Sequence, residues 1–145
     1  MSFWLVDTNI LIDVIGGDPA FGTRSRDVLA ECAERGVLII NPVIYSELAA
    51  LVPEREELDD LLPPTLFRRD SIPWAAAFLA GRAYRRYRDR GGKRDRILAD
   101  FLIGAHAAVE GFGVISRDRR HAATFEIDWL NPADDRADRG GDLYE

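Results

Sequence analysis

The fold is most constrained by short apolar runs that each end at a polar residue. "FWLV", "VLII" and "GVIS" are followed at once by Asp7, Asn41 and Arg117. A run that is apolar on both of its faces is typical of a strand buried on both sides of a parallel sheet. Two weaker strand patterns cover residues 66–70 and 127–130. The chain is therefore predicted to contain four or five strands.

Helix patterns separate these runs and end at proline or glycine residues. The five predicted helices cover residues 24–35, 42–53, 54–62, 74–90 and 97–110. Strands that alternate with helices are joined by right-handed crossovers, which makes the strands parallel. We expect an α/β fold, a three-layer sandwich in which a mostly parallel, twisted sheet of four to five strands is flanked by helices.

The length of 145 residues suggests one domain. We predict a folded domain over residues 1–132 and a polar, flexible tail over residues 133–145. Cys32 is the only cysteine, so no internal disulfide can form, which fits a reducing compartment. The sequence has neither a signal-peptide pattern nor an apolar run of about 20 residues, so we expect a cytoplasmic protein with no membrane partner. The net charge of −6 disfavours a protein that coats nucleic acid by bulk charge.

Four acidic residues stand where a charge is costly. Asp7 and Asp118 follow predicted strands, at the sheet edge where α/β proteins bind ligands. Glu47 and Asp100 lie among apolar or small neighbours within predicted helices. Each acid has an ordinary alternative, because Asp7 could cap a helix, Asp118 could stabilise a turn, and the two helical acids could point into solvent. Taken together, the four positions suggest one acidic cluster.

Such a cluster would need a counterion. Two carboxylates about 4 Å apart repel by about 4 kcal/mol at an effective dielectric constant of about 20. A converging quartet would therefore take up protons or bind a cation. Oxygen donors without a required cysteine or histidine favour Mg²⁺ or Mn²⁺ over Zn²⁺. One or two such ions in an acidic pocket are typical of enzymes that hydrolyse phosphodiesters.

Four motifs also carry a family resemblance. In order along the chain they are "VDTNILID", "SEL", "LADFLIGAHA" and "ISRDRRH". They resemble the PIN-domain nucleases, and within them the VapC-type toxins of bacterial toxin–antitoxin pairs. The resemblance runs from about residue 3 to about residue 132. It implies a parallel sheet flanked by helices, with acidic residues gathered at one end.

The resemblance assigns roles to individual residues. The implied catalytic and metal-binding acids are Asp7, Glu47, Asp100 and Asp118. The implied supporting residues are Thr8, Asn9 and Ser116, the last at a position where the family commonly has threonine. The family further implies a Mg²⁺- or Mn²⁺-dependent endoribonuclease that cuts a transfer or ribosomal RNA. It also implies a homodimer and a small cognate antitoxin that occludes the site.

A basic segment could supply the surface that an acidic protein needs to hold RNA. Residues 82–96 carry eight Lys or Arg and two Asp, a local balance of 8 − 2 = +6. Tyr84 and Tyr87 are interleaved with these cations and could stack on bases. The predicted RNA contacts are Arg82, Arg85, Arg86, Lys93 and Arg117. The competing interpretation is a solvated helix face with ordinary salt bridges.

Two aromatic residues and two histidines allow more than one interpretation. Trp74 and Phe78 are spaced four residues apart and are predicted to lie in the core or in a dimer interface. His106 is predicted to be a packed helix residue. Whether His121, three positions after Asp118, approaches the site is left open.

Two functions outside the nuclease class are also open. A phospho-accepting signalling domain would use an aspartate at a strand end, but such domains place a lysine late in the sheet, and Lys93 lies in a glycine-rich turn. A non-catalytic binding domain would use an acidic pocket to grip the arginines of a partner, and it need not bind a metal ion.

Overall fold

The computed structural model describes residues 1–134. The strands are β1 (Ser2–Val6), β2 (Gly36–Ile40), β3 (Phe67–Arg69), β4 (Gly113–Ile115) and β5 (Trp129–Leu130). The helices are α1 (Thr8–Ile15), α2 (Gly22–Arg35), α3 (Pro42–Ala49), α4 (Arg55–Leu61), α5 (Trp74–Asp89), α6 (Leu98–Glu110) and α7 (Arg120–Thr124). The predicted α/β sandwich with a parallel sheet flanked by helices is confirmed.

The first strand of the chain is the central strand of the sheet. The strand order is β3-β2-β1-β4-β5, and every neighbouring pair is parallel. Leu5 pairs with Ile39 in β2, and Val6 pairs with Ile115 in β4. Because the carboxyl ends of parallel strands lie at one edge, the residues that follow β1, β2 and β4 come together there.

The register of β1 and β2 depends on a close backbone approach. A Cβ at Gly36 would overlap the carbonyl oxygen of Ser2, its partner in the register. Only glycine therefore fits at the start of β2. This contact fixes how far β2 extends along β1, and so fixes where both strands end.

The end of β2 leads directly into α3. Asn41 caps the helix, since its Oδ1 accepts a hydrogen bond from the Ile44 amide at 3.0 Å. Pro42 occupies the first turn, where its missing N–H costs nothing. The Asn41 Nδ2 also pairs with His106 Nδ1 on α6 at 3.0 Å. This fixed start sets the position of Glu47 in the second turn of α3.

Two apolar clusters hold the layers together. The larger one surrounds the sheet and includes the fully buried Leu5 and Ile39. The smaller one lies between α5 and α6, where Ala76 and Ala80 pack near the fully buried Phe101. Small side chains on α5 let the two helices approach closely. The smaller cluster thereby holds the first turn of α6, which carries Asp100, in place.

The core alternative for Trp74 and Phe78 is wrong. Their side chains are 92% and 71% exposed. The buried stripe of α5 is instead formed by Ala76, Ala80 and Ala83, and the two aromatic residues project from the opposite face. The dimer-interface alternative stays a prediction.

Other differences concern short helices and chain ends. The helices α1 and α7 lie outside the predicted ones, and α3 ends at Ala49 rather than at residue 53. Residues 135–145 of the predicted tail lie outside the described residues, so its flexibility stays a prediction. Across residues 1–134, no helix is both long and apolar enough to cross a bilayer.

Candidate active site

Asp7 follows β1 and caps α1, which is the helix-cap alternative that the sequence left open. Its Oδ1 accepts a hydrogen bond from the Thr8 amide at 2.7 Å. Its Oδ2 accepts from Ser116 Oγ at 2.7 Å, from His121 Nε2 at 3.0 Å and from Asn9 Nδ2 at 3.2 Å. Asp7 is only 7% exposed. These bonds offset the cost of burying a carboxylate.

Ser116 ties the ends of β1 and β4 together. Its hydroxyl donates to Asp7 and accepts from the Asp118 amide at 2.9 Å. Asn9 Nδ2 also lies 3.2 Å from this oxygen, and Asn9 Oδ1 accepts from the Arg117 amide at 3.2 Å. The structure therefore brings the predicted supporting residues Asn9 and Ser116 together with Asp7. Their role in catalysis stays a prediction.

Glu47 reaches the same region from α3. Thr8 Oγ1 donates to Glu47 Oε1 at 2.7 Å, which places the third predicted supporting residue between two acids. Burial raises the pKa of Glu47, and the charges of Asp7 and Asp100 raise it further, although the Thr8 hydrogen bond opposes them. Charges act on a carboxyl group in this way only at short range. Glu47, Asp7 and Asp100 therefore share one acidic region.

Asp100 lies in the first turn of α6 and is half-buried. Its Oδ2 accepts a hydrogen bond from the Ile97 amide at 3.0 Å. An acid in the first turn also interacts favourably with the helix dipole. Asp100 is thus held by the start of its own helix, and its other oxygen has no described hydrogen bond within residues 1–134.

Asp118 follows β4 and is paired with an arginine two positions later. Arg120 Nη2 donates to Asp118 Oδ2 at 2.7 Å, and Arg120 Nε donates to Oδ1 at 2.9 Å. Burial alone would raise the pKa of Asp118, but the hydrogen bonds from Arg120 outweigh it and hold the pKa below its usual value. Arg120 Nη1 also contacts Asp95 Oδ2 at 3.1 Å. Asp118 is therefore ionised and carries an internal counterion.

The chemistry of this donor set fits a hard divalent cation. The four carboxylates offer only oxygen ligands, which Mg²⁺ and Mn²⁺ prefer. Within residues 1–134, however, no three His, Cys, Asp or Glu side chains are already arranged to hold an ion. Arg120 donates to both oxygens of Asp118. An ion bound through all four acids would therefore share Asp118 with Arg120 or displace it.

His121 lies in the site, which the sequence left open. It belongs to α7, is 1% exposed, and contacts Asp7 through Nε2. Because α7 is only five residues long and carries no clear apolar period, the sequence gives little sign that it turns back towards β1. The position of His121 one turn after Asp118 is the available signal.

Basic side chains cover the solvent face of α5 and the loop after it. Four predicted RNA contacts are exposed there, namely Arg82, Arg85, Arg86 and Lys93. The loop leads into α6, which carries Asp100. Tyr84 and Tyr87 have an internal partner, since both rings pack against Phe101 with centroids 5.5 Å apart. Arginines rather than tyrosines therefore face the solvent.

Arg117, the fifth predicted RNA contact, has a structural partner. Its Nε donates to Asp13 Oδ2 at 2.7 Å and its Nη2 to Asp13 Oδ1 at 2.9 Å. Asp13 is buried and also accepts from Ser25 Oγ at 3.2 Å. The guanidinium further stacks over the Phe21 ring. A bidentate pair of this kind holds Arg117 in place, so Arg117 has a structural role in the fold. Its contact with RNA stays a prediction.

Comparison with known proteins gives one family and several similar folds. A family model described as PIN domain matches residues 4–126. The fold resembles VapBC2 from Rickettsia felis bound to a DNA fragment from their promoter, with a TM-score of 0.71 and 16% identity, over 89% of this chain and 98% of that chain. It also resembles VapBC-1 from nontypeable Haemophilus influenzae, with a TM-score of 0.70 and 16% identity, over 91% of this chain and 99% of that chain.

A third similar structure is FitAcB from Neisseria gonorrhoeae, with a TM-score of 0.66 and 19% identity, over 89% of this chain and 97% of that chain. No curated protein matches the chain. At such identities the structural likeness concerns the fold alone. The family match, in contrast, spans most of the sequence. The chain belongs to the PIN domain family.

Proposed function

We propose that the protein is a metal-dependent endoribonuclease, the toxin of a type II toxin–antitoxin pair, which hydrolyses phosphodiesters of transfer or ribosomal RNA in the cytoplasm. The observation that carries this proposal is the buried Asp7 carboxylate, fixed at a strand end beside the charges of Glu47 and Asp100. Membership of the PIN domain family supports hydrolysis of nucleic acid. The likeness to the VapBC and FitAcB structures supports the toxin role.

The four acids would hold the ion. Asp7, Asp100 and Asp118 would ligate one or two Mg²⁺ or Mn²⁺, and Glu47 would complete the set or orient the attacking water. When bound, such an ion lowers the pKa of a coordinated water and neutralises charge on the scissile phosphate. The protein's own contribution would be to bring the acids to one end of the sheet and to donate hydrogen bonds to them.

The supporting residues Thr8, Asn9 and Ser116 would keep the acids in position. Ser116 and Asn9 fix the plane of the Asp7 carboxylate, and Thr8 fixes Glu47. Because Asp7 and Ser116 directly follow the neighbouring strands β1 and β4, the sheet fixes the position of Asp7 relative to Ser116. A rigid supporting shell of this kind is what a catalytic metal site requires.

The RNA would lie along the basic face of α5. Arg82, Arg85, Arg86 and Lys93 are exposed there and have the sign of charge that phosphates need. The loop after α5 leads to Asp100, so a strand held on this face would extend towards the acids.

Cleavage of a labelled transfer or ribosomal RNA by purified protein tests the proposal. We expect cleavage with Mg²⁺ or Mn²⁺, and none after chelation of the metal. Asp7→Asn and Asp100→Asn should each abolish it and leave the protein folded. Glu56→Gln, which removes an exposed acid on α4, is the matched control and should cleave normally. Full cleavage by both aspartate variants would refute the proposal.

The toxin role also requires a partner that blocks the site. An apolar groove between α1, α2 and α4 is lined by partly exposed side chains that include Ile15, Leu61 and Leu66. Such a groove suits the apolar face of a helix. We propose that the antitoxin occupies it. Replacement of Ile15 with Glu should abolish co-purification with the antitoxin, while Leu51→Glu, on the loop after α3, should preserve it.

A further inference from the structure

Within residues 1–134, the His121 side chain makes one described hydrogen bond, and its partner is Asp7, the acid that follows the central strand. Its Nε2 lies 3.0 Å from Asp7 Oδ2. Since an ionised carboxylate only accepts hydrogen bonds, Nε2 carries the hydrogen and donates it. Among the described residues, Nδ1 is buried and has no hydrogen-bond partner. The ring therefore faces Asp7 with its donor and faces the apolar interior with its other nitrogen.

This contact completes the hydrogen bonding of one oxygen of Asp7. Among the described residues, Oδ2 accepts from Ser116, Asn9 and His121, whereas Oδ1 accepts from the Thr8 amide alone. A carboxylate offers about four acceptor positions in all. Since each oxygen provides about two of these positions, the three donors leave none open on Oδ2, whereas Oδ1 with its one described donor keeps about one.

A glycine on α6 leaves space for the His121 ring. A Cβ at Gly104 on α6 would lie 3.3 Å from His121 Nδ1 and 2.6 Å from a ring atom of Phe125. Gly104 thus leaves the space that both rings fill. At 1% exposure, His121 is also closed off from solvent, so water does not replace its hydrogen bond to Asp7.

We infer that His121 is a positioning residue: with Ser116 and Asn9 it saturates Oδ2 of Asp7 and thereby leaves Oδ1 as the oxygen that binds the divalent ion. This inference rests on the proposed metal-dependent nuclease function. His121 touches neither ion nor substrate in this role. Outer partners of ligating groups typically change metal affinity or activity by about 10- to 100-fold when they are replaced.

A purely structural role for His121 predicts something different. In that case the histidine would only satisfy a buried acid, and its loss would lower stability without altering the preference of Asp7 for an ion. The positioning role needs a hydrogen-bond donor at the place of His121 Nε2, so variants that carry an N–H at different places distinguish the two roles. Gln can place an N–H where Nε2 lies, whereas the shorter Asn reaches only to the position of Nδ1.

The experiment measures Mn²⁺ binding by calorimetry and thermal unfolding for the full chain and for His121→Gln, His121→Asn and His121→Met. We expect Gln to retain the affinity, and Asn and Met to weaken it by about 10- to 100-fold. Val28→Ala, which truncates a buried side chain on α2, should lower stability and leave Mn²⁺ affinity unchanged. Asp7→Asn is measured alongside and should lose Mn²⁺ binding.

The outcomes distinguish the positioning role of His121 from the proposed metal site. Equal Mn²⁺ affinity in the Gln and Asn variants, or wild-type affinity in the Met variant, overturns the positioning role while the loss in Asp7→Asn upholds the nuclease proposal. Loss of folding in all three His121 variants assigns the residue to the core alone and also overturns it. Unchanged Mn²⁺ binding in Asp7→Asn would instead refute the metal site itself.

Discussion

The four acids are stabilised to very different extents. Asp7 accepts four hydrogen bonds and Asp118 is paired with Arg120, so the negative charge on each is well compensated. Among the described residues, Glu47 accepts one hydrogen bond, from the Thr8 hydroxyl, and its pKa is raised by burial and by neighbouring charge. Burial and the charges of Asp7 and Asp100 therefore disfavour the ionised form of Glu47.

Replacement of Glu47 by Gln should make the metal-free protein more stable at neutral pH. The variant keeps the shape and the hydrogen bond to Thr8 but removes a charge that Asp7 and Asp100 repel. We expect the unfolding temperature to rise by about 3 °C, the scale of about 1 kcal/mol in a chain of this size. RNA cleavage should fall sharply in the same variant. An unfolding temperature equal to that of Glu56→Gln would contradict the expectation.

His106 should make folding sensitive to mild acid. Burial lowers the pKa of His106 below its ordinary 6.5, although Asp70 and Glu110 oppose the shift. The unfolded chain therefore takes up a proton near pH 6.5 that the folded chain still excludes. Since the unfolded state binds more protons in that window, stability falls as the pH drops below about 6.5. Urea unfolding from about pH 8 to about pH 5 measures this loss, which should be smaller in His106→Asn; parallel profiles would rule it out.

At the scale of elements, α5 has two distinct faces. Its alanines pack against α6, whereas its arginines and two aromatic residues face solvent. Only one of the exposed arginines forms a described ion pair on the helix itself, between Arg85 and Asp89 at 3.2 Å. An exposed pair of this kind contributes little to stability, so the arginine-rich face can be changed without unfolding the helix.

Removal of Arg82 and Arg86 together should weaken RNA binding and reduce its salt dependence. Each phosphate that the protein no longer neutralises should lower the slope of log affinity against log salt by about 1. Fluorescence anisotropy in an Asp7→Asn background, in which RNA stays intact, measures both quantities. Arg26→Ala with Arg55→Ala removes the same charge from other helices and should leave the slope nearly unchanged. Equal slopes in the two double variants would contradict an RNA-binding face on α5.

The elements that could be predicted are those with a strong local signal. The apolar runs before Asp7, Asn41 and Arg117 gave strands, because residues buried on both faces leave a continuous apolar pattern. The five-residue α7 leaves no such pattern, and its place depends on Phe125 packing against Gly104. The contact of His121 with Asp7 follows from that packing, so it is a tertiary property that sequence spacing does not carry.

The acidic site shows the same division. The places of the four acids, after β1 and β4 and within α3 and α6, could be predicted from strand ends and from charges within apolar helices. Their joint role as one site stays a prediction. The pairing of Asp118 with Arg120 and of Arg117 with Asp13 could not be predicted, because "SRDRR" offers three arginines to one acid and nothing local selects among them. The fold of the β4–α7 segment makes that selection.

At the scale of the whole molecule, Trp74 and Phe78 form an exposed aromatic pair on α5. Large aromatic side chains at such exposure are typical of interfaces, where a few of them supply most of the binding energy. Since the pair does not lie in the core, we predict that it packs against a second copy of the chain. The family resemblance implies such a homodimer. The alternative is stacking on RNA bases beside the arginines of the same helix.

Replacement of Trp74 by Ser should therefore weaken self-association. We expect the dimer dissociation constant to rise by about 30-fold, the scale of a residue that contributes about 2 kcal/mol. Sedimentation of the RNA-free protein over a range of concentrations measures this change. Leu51→Ser removes a side chain that is 63% exposed on another surface and should have no effect. A monomeric wild-type protein, with weaker RNA binding by the Trp74 variant, would favour stacking instead.

The central place of β1 has a consequence for the cell that makes this protein. Asp7 follows the first strand of the sheet in chain order, but the side chains that hold it, Ser116 and His121, are 109 and 114 positions further along the chain. A nascent chain that stalls, or a message cut short before β4, yields a fragment without those donors and without Asp118. The arrangement around Asp7 therefore cannot form until the segment from β4 to α7 has been synthesised, and a shorter fragment should lack the hydrogen bonds that Ser116 and His121 donate to Asp7.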